Sequence, residues 1–166
     1  MRPFIMDTSF ILNFLSEIAY LLIVFGIIFS YSIIKGRQAV INLVFGLYLA
    51  LLISIEFPFY EQLLGNLESS QAVAIAKLVL FGLFTFLMTW LAARVMPDEF
   101  RENKFETLGK KCILAISATI LVMAFSFNVL PITEFMTPGT PIQSLFAPEG
   151  FFFWWLLLPL AVLFIL

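Results

Sequence analysis

The chain has no histidine and a single cysteine, Cys112. The commonest general base and metal ligand is therefore missing. One cysteine closes no intramolecular disulfide and builds no cysteine metal site. Charge is scarce as well. Asp, Glu, Lys and Arg make up 12% of the 166 residues, against about 25% in an ordinary soluble domain. There is no glycine-rich phosphate loop, zinc-type spacing or nucleophile elbow. These absences point away from an enzyme, and no cofactor or metal is expected. The net charge of −2 says little about partners, and nucleic acid is not among those expected.

What the chain does have is apolar surface. It is 62% hydrophobic, with a mean hydropathy of +1.06. A soluble domain of this size leaves a large share of its surface in water and cannot hide so much. Lipid is therefore the expected solvent. The reading is all-α: one transmembrane domain over 1–166, an integral membrane bundle of four to five helices. A bilayer core takes about 20 apolar residues per helix. The candidate spans are Phe10 to Ile34, Val40 to Phe57, Ala72 to Met96, Cys112 to Leu130 and Phe151 to Leu166. Thr8 and Ser9 are suitable caps for the first. Pro58, Pro97 and Pro131 close the next three. The fifth is short and contains Pro159, so whether it spans stays open. The first run follows Asp7 and is too long for a signal-peptide core, so it reads as a retained helix.

The links carry an orientation signal. Lys35-Gly36-Arg37 is a tight basic turn. Residues 58–71 carry Glu61 and Glu68 but no Lys or Arg. Residues 97–111 are densely charged, and Asp98 to Leu108 has helical character. Residues 131–150 hold four prolines and no basic residue. Lys35, Arg37, Arg94, Arg101, Lys104, Lys110 and Lys111 fall on one side, and only Arg2 on the other. Positive charge marks the cytoplasmic side. The expected location is a cytoplasmic (inner) membrane with the N-terminus outside.

Two charges interrupt the apolar runs, Glu17 and Lys77. Such charges cost about 2.5–3.5 kcal/mol even on the mild insertion scale. Each lies roughly 12 Å along its helix from the outer end, at about 1.5 Å per residue. Helices of the same direction at matching depth allow an ion pair, with Glu56 as a third possible partner. Alternatively Lys77 snorkels to the surface while Glu17 is hydrogen-bonded inside. Asn13, Ser16, Glu17 and Tyr20 share one helix face at i, i+3, i+4 and i+7, and such a stripe faces protein or water. With Lys77 they form the candidate intramembrane polar cluster.

Asn42, Gly46, Ala50 and Ser54 recur every four residues, a small-residue face that lets helices approach closely. This helix-packing face serves intramolecular packing or, alternatively, a homo-oligomer. Gly82, Thr85, Thr89 and Ala92, and likewise Ala115, Thr119 and Ser126, form further packing faces. Tyr60, Trp90, Trp154 and Trp155 suit an interfacial aromatic belt. The outer carboxylates Glu56, Glu61, Glu68, Glu134 and Glu149 read as solvated loop charge.

A short N-terminus with Asp7, then a first helix and Lys35-Gly36-Arg37 leading straight into the second, resembles the colicin V production protein family. Thr107-Leu108-Gly109-Lys110 sits where that family carries a glycine signature. The last apolar segment is more apolar here than in the family. The resemblance implies a small bacterial inner-membrane protein of about four spans with no assigned enzymatic activity. It also implies a role in peptide-toxin export or envelope maintenance. The expected function is a non-enzymatic accessory or scaffold subunit, its partners the lipid bilayer and another membrane protein or further copies of itself. The alternative is a small oligomeric channel or transporter using Glu17 and Lys77.

Overall fold

The computed structural model describes the backbone of residues 8–65, 69–96, 106–129 and 141–166. It describes their side chains except at 8–13, 106, 107, 141 and 149. All regular structure among these residues is helical. Four helices are long and apolar: α1 (Thr8–Lys35), α2 (Arg37–Ile55), α4 (Ser70–Val95) and α5 (Glu106–Asn128). Each is long enough to cross the roughly 30 Å hydrocarbon core at about 1.5 Å per residue. The protein is an integral, multi-pass membrane bundle. α7 (Glu149–Ile165) is apolar but shorter, at 17 residues. Two short helices, α3 (Tyr60–Leu64) and α6 (Pro141–Phe146), occupy stretches expected to be loop.

Local chemistry explains the boundaries. α1 and α2 are joined by one residue, Gly36, with φ of 89°. That left-handed conformation strains any residue with a Cβ, so glycine makes the turn possible. The Gly36 N–H still donates to the Ser32 carbonyl at 3.0 Å, capping α1. α2 ends at Ile55 and α4 at Val95, each shortly before a proline in the sequence; the residue preceding a proline disfavours helix. The expected helix at 98–108 lies outside the described residues except where α5 begins at Glu106.

α5 is the centre of the bundle. It packs against α1, α2, α6 and α7, while α4 packs chiefly on α2. Leu114, Ala115, Ala118, Leu121 and Phe125 of α5 are all fully buried. They meet Val40, Val44 and Ala50 of α2. Phe125 takes edge contacts from Tyr48 and Phe81, with centroids 6.3 and 5.9 Å away. Because successive spans alternate in direction, Lys35, Arg37, Arg94, Lys110 and Lys111 gather at one end. Glu56 and Glu61 lie at the other.

Pro159 lies inside α7 and is buried. A proline brings no N–H to its helix, so the carbonyl four residues back, that of Trp155, loses its helical donor. The Tyr48 hydroxyl donates to the Leu156 carbonyl in the same turn. That bond ties α2 to α7 beside the proline.

Candidate functional site

Glu17 is 1% exposed, on the face of α1 that turns into the bundle. One turn on, the Tyr20 hydroxyl lies 2.9 Å from Ser126 Oγ on α5. Ser126 spends its one proton on the Val122 carbonyl at 2.7 Å. Tyr20 is therefore the donor of that pair. Ser16 is on the exposed side of α1. The Asn13 side chain lies outside the described residues. Of the polar stripe, the structure thus brings Glu17 and Tyr20 into the interior and leaves Ser16 at the rim.

Lys77 is elsewhere. Its ammonium sits over the Tyr60 ring, 5.9 Å from the centroid. Among the described residues no ion pair joins it to Glu17 or to Glu56. Nor are α1 and α4 packing partners among these residues: α1 packs on α2 and α5, and α4 packs chiefly on α2. Lys77 instead borders an aromatic group at the acidic end. Phe57 meets Phe59, Tyr60 and Phe84 with centroids 5.6, 5.1 and 5.2 Å apart. The Tyr60 hydroxyl is 2.7 Å from Ser54 Oγ. An ammonium over an aromatic face gains about 0.5–2 kcal/mol, more as water is removed. Sequence spacing gives no hint of this partner, because the α3 stretch reads as loop.

The four-residue spacing of α2 becomes a buried seam. Asn42, Gly46, Ala50 and Ser54 are all buried. A Cβ added to Gly46 would come within 2.2 Å of Thr89 Oγ1, 2.7 Å of the Thr89 nitrogen and 2.9 Å of its Cα. The α2 and α4 backbones therefore touch, which only glycine permits here. Asn42 accepts from Gln38 Nε2 at 3.2 Å.

No protein-family model, curated protein or solved structure matches the chain. The resemblance to the colicin V production family rests on Asp7, Lys35-Gly36-Arg37 and Thr107-Leu108-Gly109-Lys110 alone.

At the acidic end, α6 is clamped by its neighbours. Asn128 of α5 donates to the Phe146 carbonyl at 2.7 Å and to the Ala124 carbonyl at 3.0 Å. Trp155 Nε1 of α7 donates to the Leu145 carbonyl at 3.0 Å. The carbonyls that a helix end leaves without partners are thereby satisfied. The Phe146 ring lies between Phe127 and Trp155, 6.4 and 4.7 Å away. Sequence reasoning misses α6, because its anchors Asn128 and Trp155 come from other helices.

A groove of about 510 Å³ opens between α1 and α4, floored by Leu43 of α2. Its walls are apolar apart from Tyr31, Thr85, Thr89 and Trp90. It includes neither Glu17 nor Lys77. The face of Gly82, Thr85 and Thr89, expected to be ordinary packing, is therefore shared between the α2 seam and this groove.

No described group of His, Cys, Asp or Glu is arranged to hold a metal ion. Among the interior polar groups, Tyr20 with Ser126 and Asn128 with Phe146 join separate helices. Chemically, the described residues offer a sealed carboxylate, two cations on aromatic faces (Lys77 on Tyr60 and Arg94 on Trp90) and an apolar groove between α1 and α4.

Proposed function

We propose that this multi-pass membrane protein is a non-enzymatic accessory or scaffold subunit of a bacterial inner membrane. The observation that carries the reading is the placement of Glu17. It is 1% exposed and lies apart from Lys77 and from the α1–α4 groove. A transport path needs its charged groups to reach water or a shared cavity. A scaffold needs them sealed and needs free apolar surface for another membrane protein. α4 supplies that surface, since Val79, Leu83 and Phe86 are all more than half exposed. The excess of basic residues at one end supports an orientation with that end in the cytoplasm and the N-terminus outside. A link to toxin export or envelope maintenance comes only through the colicin V production resemblance.

The second reading, a small oligomeric channel or transporter, is favoured by one observation: a carboxylate held within an apolar helix. Flux measurement separates the two. The purified protein in liposomes is assayed for proton and monovalent-cation flux, and its native-membrane assembly is sized in parallel. A scaffold gives no flux above protein-free liposomes and migrates in a larger complex of fixed composition. Flux that Glu17→Gln abolishes would overturn the scaffold reading.

A further inference from the structure

The groove between α1 and α4 has a chemically distinct end. On α1, Ile27, Tyr31 and Lys35 follow one another at four-residue spacing, so the groove wall continues into a cation. On α4, Phe86, Trp90 and Arg94 do the same. Arg94 lies over the Trp90 ring, 5.9 Å from the centroid, and is exposed. Lys35 is exposed as well. An apolar slot about 510 Å³ in volume thus leads up to two aromatic side chains and then to two cations. Its volume falls within the roughly 300–1,000 Å³ of small-molecule sites.

We propose that this groove is a binding site for one anionic phospholipid. One acyl chain lies between α1 and α4 along Ile27, Leu43 and Gly82. Tyr31 and Trp90 sit at the glycerol level, where amphipathic rings are favoured. The headgroup phosphate is held between Lys35 and Arg94. Basic pockets between helices at the membrane surface select anionic headgroups in this way. Arg94 suits the role because its planar fork binds phosphate while still stacking on an aromatic face.

Charge also decides against a second copy of the chain in the groove. Two copies related by an axis along the membrane normal would bring the same ends together. Lys35 and Arg94 of each would then face the like charges of the other. A phosphate relieves that repulsion, and a second copy adds to it.

The test uses the full chain in phosphatidylcholine vesicles containing a tenth phosphatidylglycerol of matched acyl chains. The protein is re-extracted in mild detergent, and retained lipids are counted by native mass spectrometry. One phospholipid is expected per chain, with a preference for phosphatidylglycerol over phosphatidylcholine of roughly thirtyfold for two surface cations. Lys35→Gln with Arg94→Gln should remove the preference. Lys110→Gln with Lys111→Gln, at the same end of the bundle, should leave it intact. Gly82→Phe should remove retention of any lipid, since a Cβ at Gly82 meets nothing within 4 Å and the ring has room to fill the groove. Helical circular dichroism confirms that each variant is folded. A preference that survives loss of Lys35 and Arg94 overturns the site. So does one that falls equally without Lys110 and Lys111, which would be diffuse surface attraction. A dimer mass that disappears in Gly82→Phe overturns it too, and assigns the groove to a second copy.

Discussion

α5 and α4 are both apolar spans, yet they occupy opposite situations. Half of the apolar window of α5 is buried within the bundle, against 11% for α4. Apolarity does not produce this order, because α5 carries Ser117, Thr119, Ser126 and Asn128 within its span. In lipid, an apolar side chain gains little by turning inward, since the tails are as apolar as leucine. What places a helix inside is the need of its polar groups for partners and the close approach its small residues allow. Ser126 accepts from Tyr20 of α1 at 2.9 Å, and Asn128 reaches across to α6. α4 makes its close approach at Thr89 on Gly46 and leaves most of its surface to lipid.

The comparison breaks most readily at Phe125. Phe125→Ala removes a fully buried ring from the centre of the bundle. The expected loss is about 3 kcal/mol, the low end for phenylalanine truncation, because in lipid the cavity term dominates over transfer. Denaturant titration in mixed micelles measures it. A loss no greater than that of a lipid-facing truncation would mean that α5 is not the interior helix.

Gly46→Ala should cost about 2 kcal/mol by overpacking the α2–α4 seam. The clash includes the Thr89 nitrogen and Cα, so adding Thr89→Ala should not restore stability. Full restoration by the double variant would place the contact in the side chain alone.

Asn128→Ala should cost about 1 kcal/mol, the net contribution of a typical hydrogen bond. Amide hydrogen exchange should rise in α6 and leave α4 unchanged, which sharpens the contrast between the clamped end and the peripheral helix. The smallest effect belongs to Phe86→Ala on α4. This side chain is 75% exposed, and the expected change is under about 0.5 kcal/mol. A larger loss would show that α4 has a protein neighbour in its membrane.

Hydropathy locates the four long helices to within a few residues at most ends, because lipid imposes both length and composition. α5 is the exception, beginning at Glu106 rather than Cys112, since its first turn is charged and escapes a hydropathy reading. The spacing of Asn42, Gly46, Ala50 and Ser54 identifies a common face, and all four are buried. Depth is legible in the sequence and azimuth is not. Glu17 and Lys77 match in distance along their helices, but α2 and α5 determine which faces meet. α3 and α6 are illegible for a related reason. Five- and six-residue helices have no periodicity of their own, and here distant side chains such as Asn128 and Trp155 hold the second of them in place.

The single-residue turn at Gly36 has a consequence for biogenesis. With no spacer between α1 and α2, neither helix can be threaded and released before the other begins to enter. Lys35 and Arg37 flank the turn and keep it at the membrane surface while the apolar arms pass inward. The pair is therefore expected to enter the bilayer together, with two cations around one glycine at its joint. Lengthening that turn would uncouple the arms and let each choose its orientation separately, a route to inverted molecules that the present joint closes off.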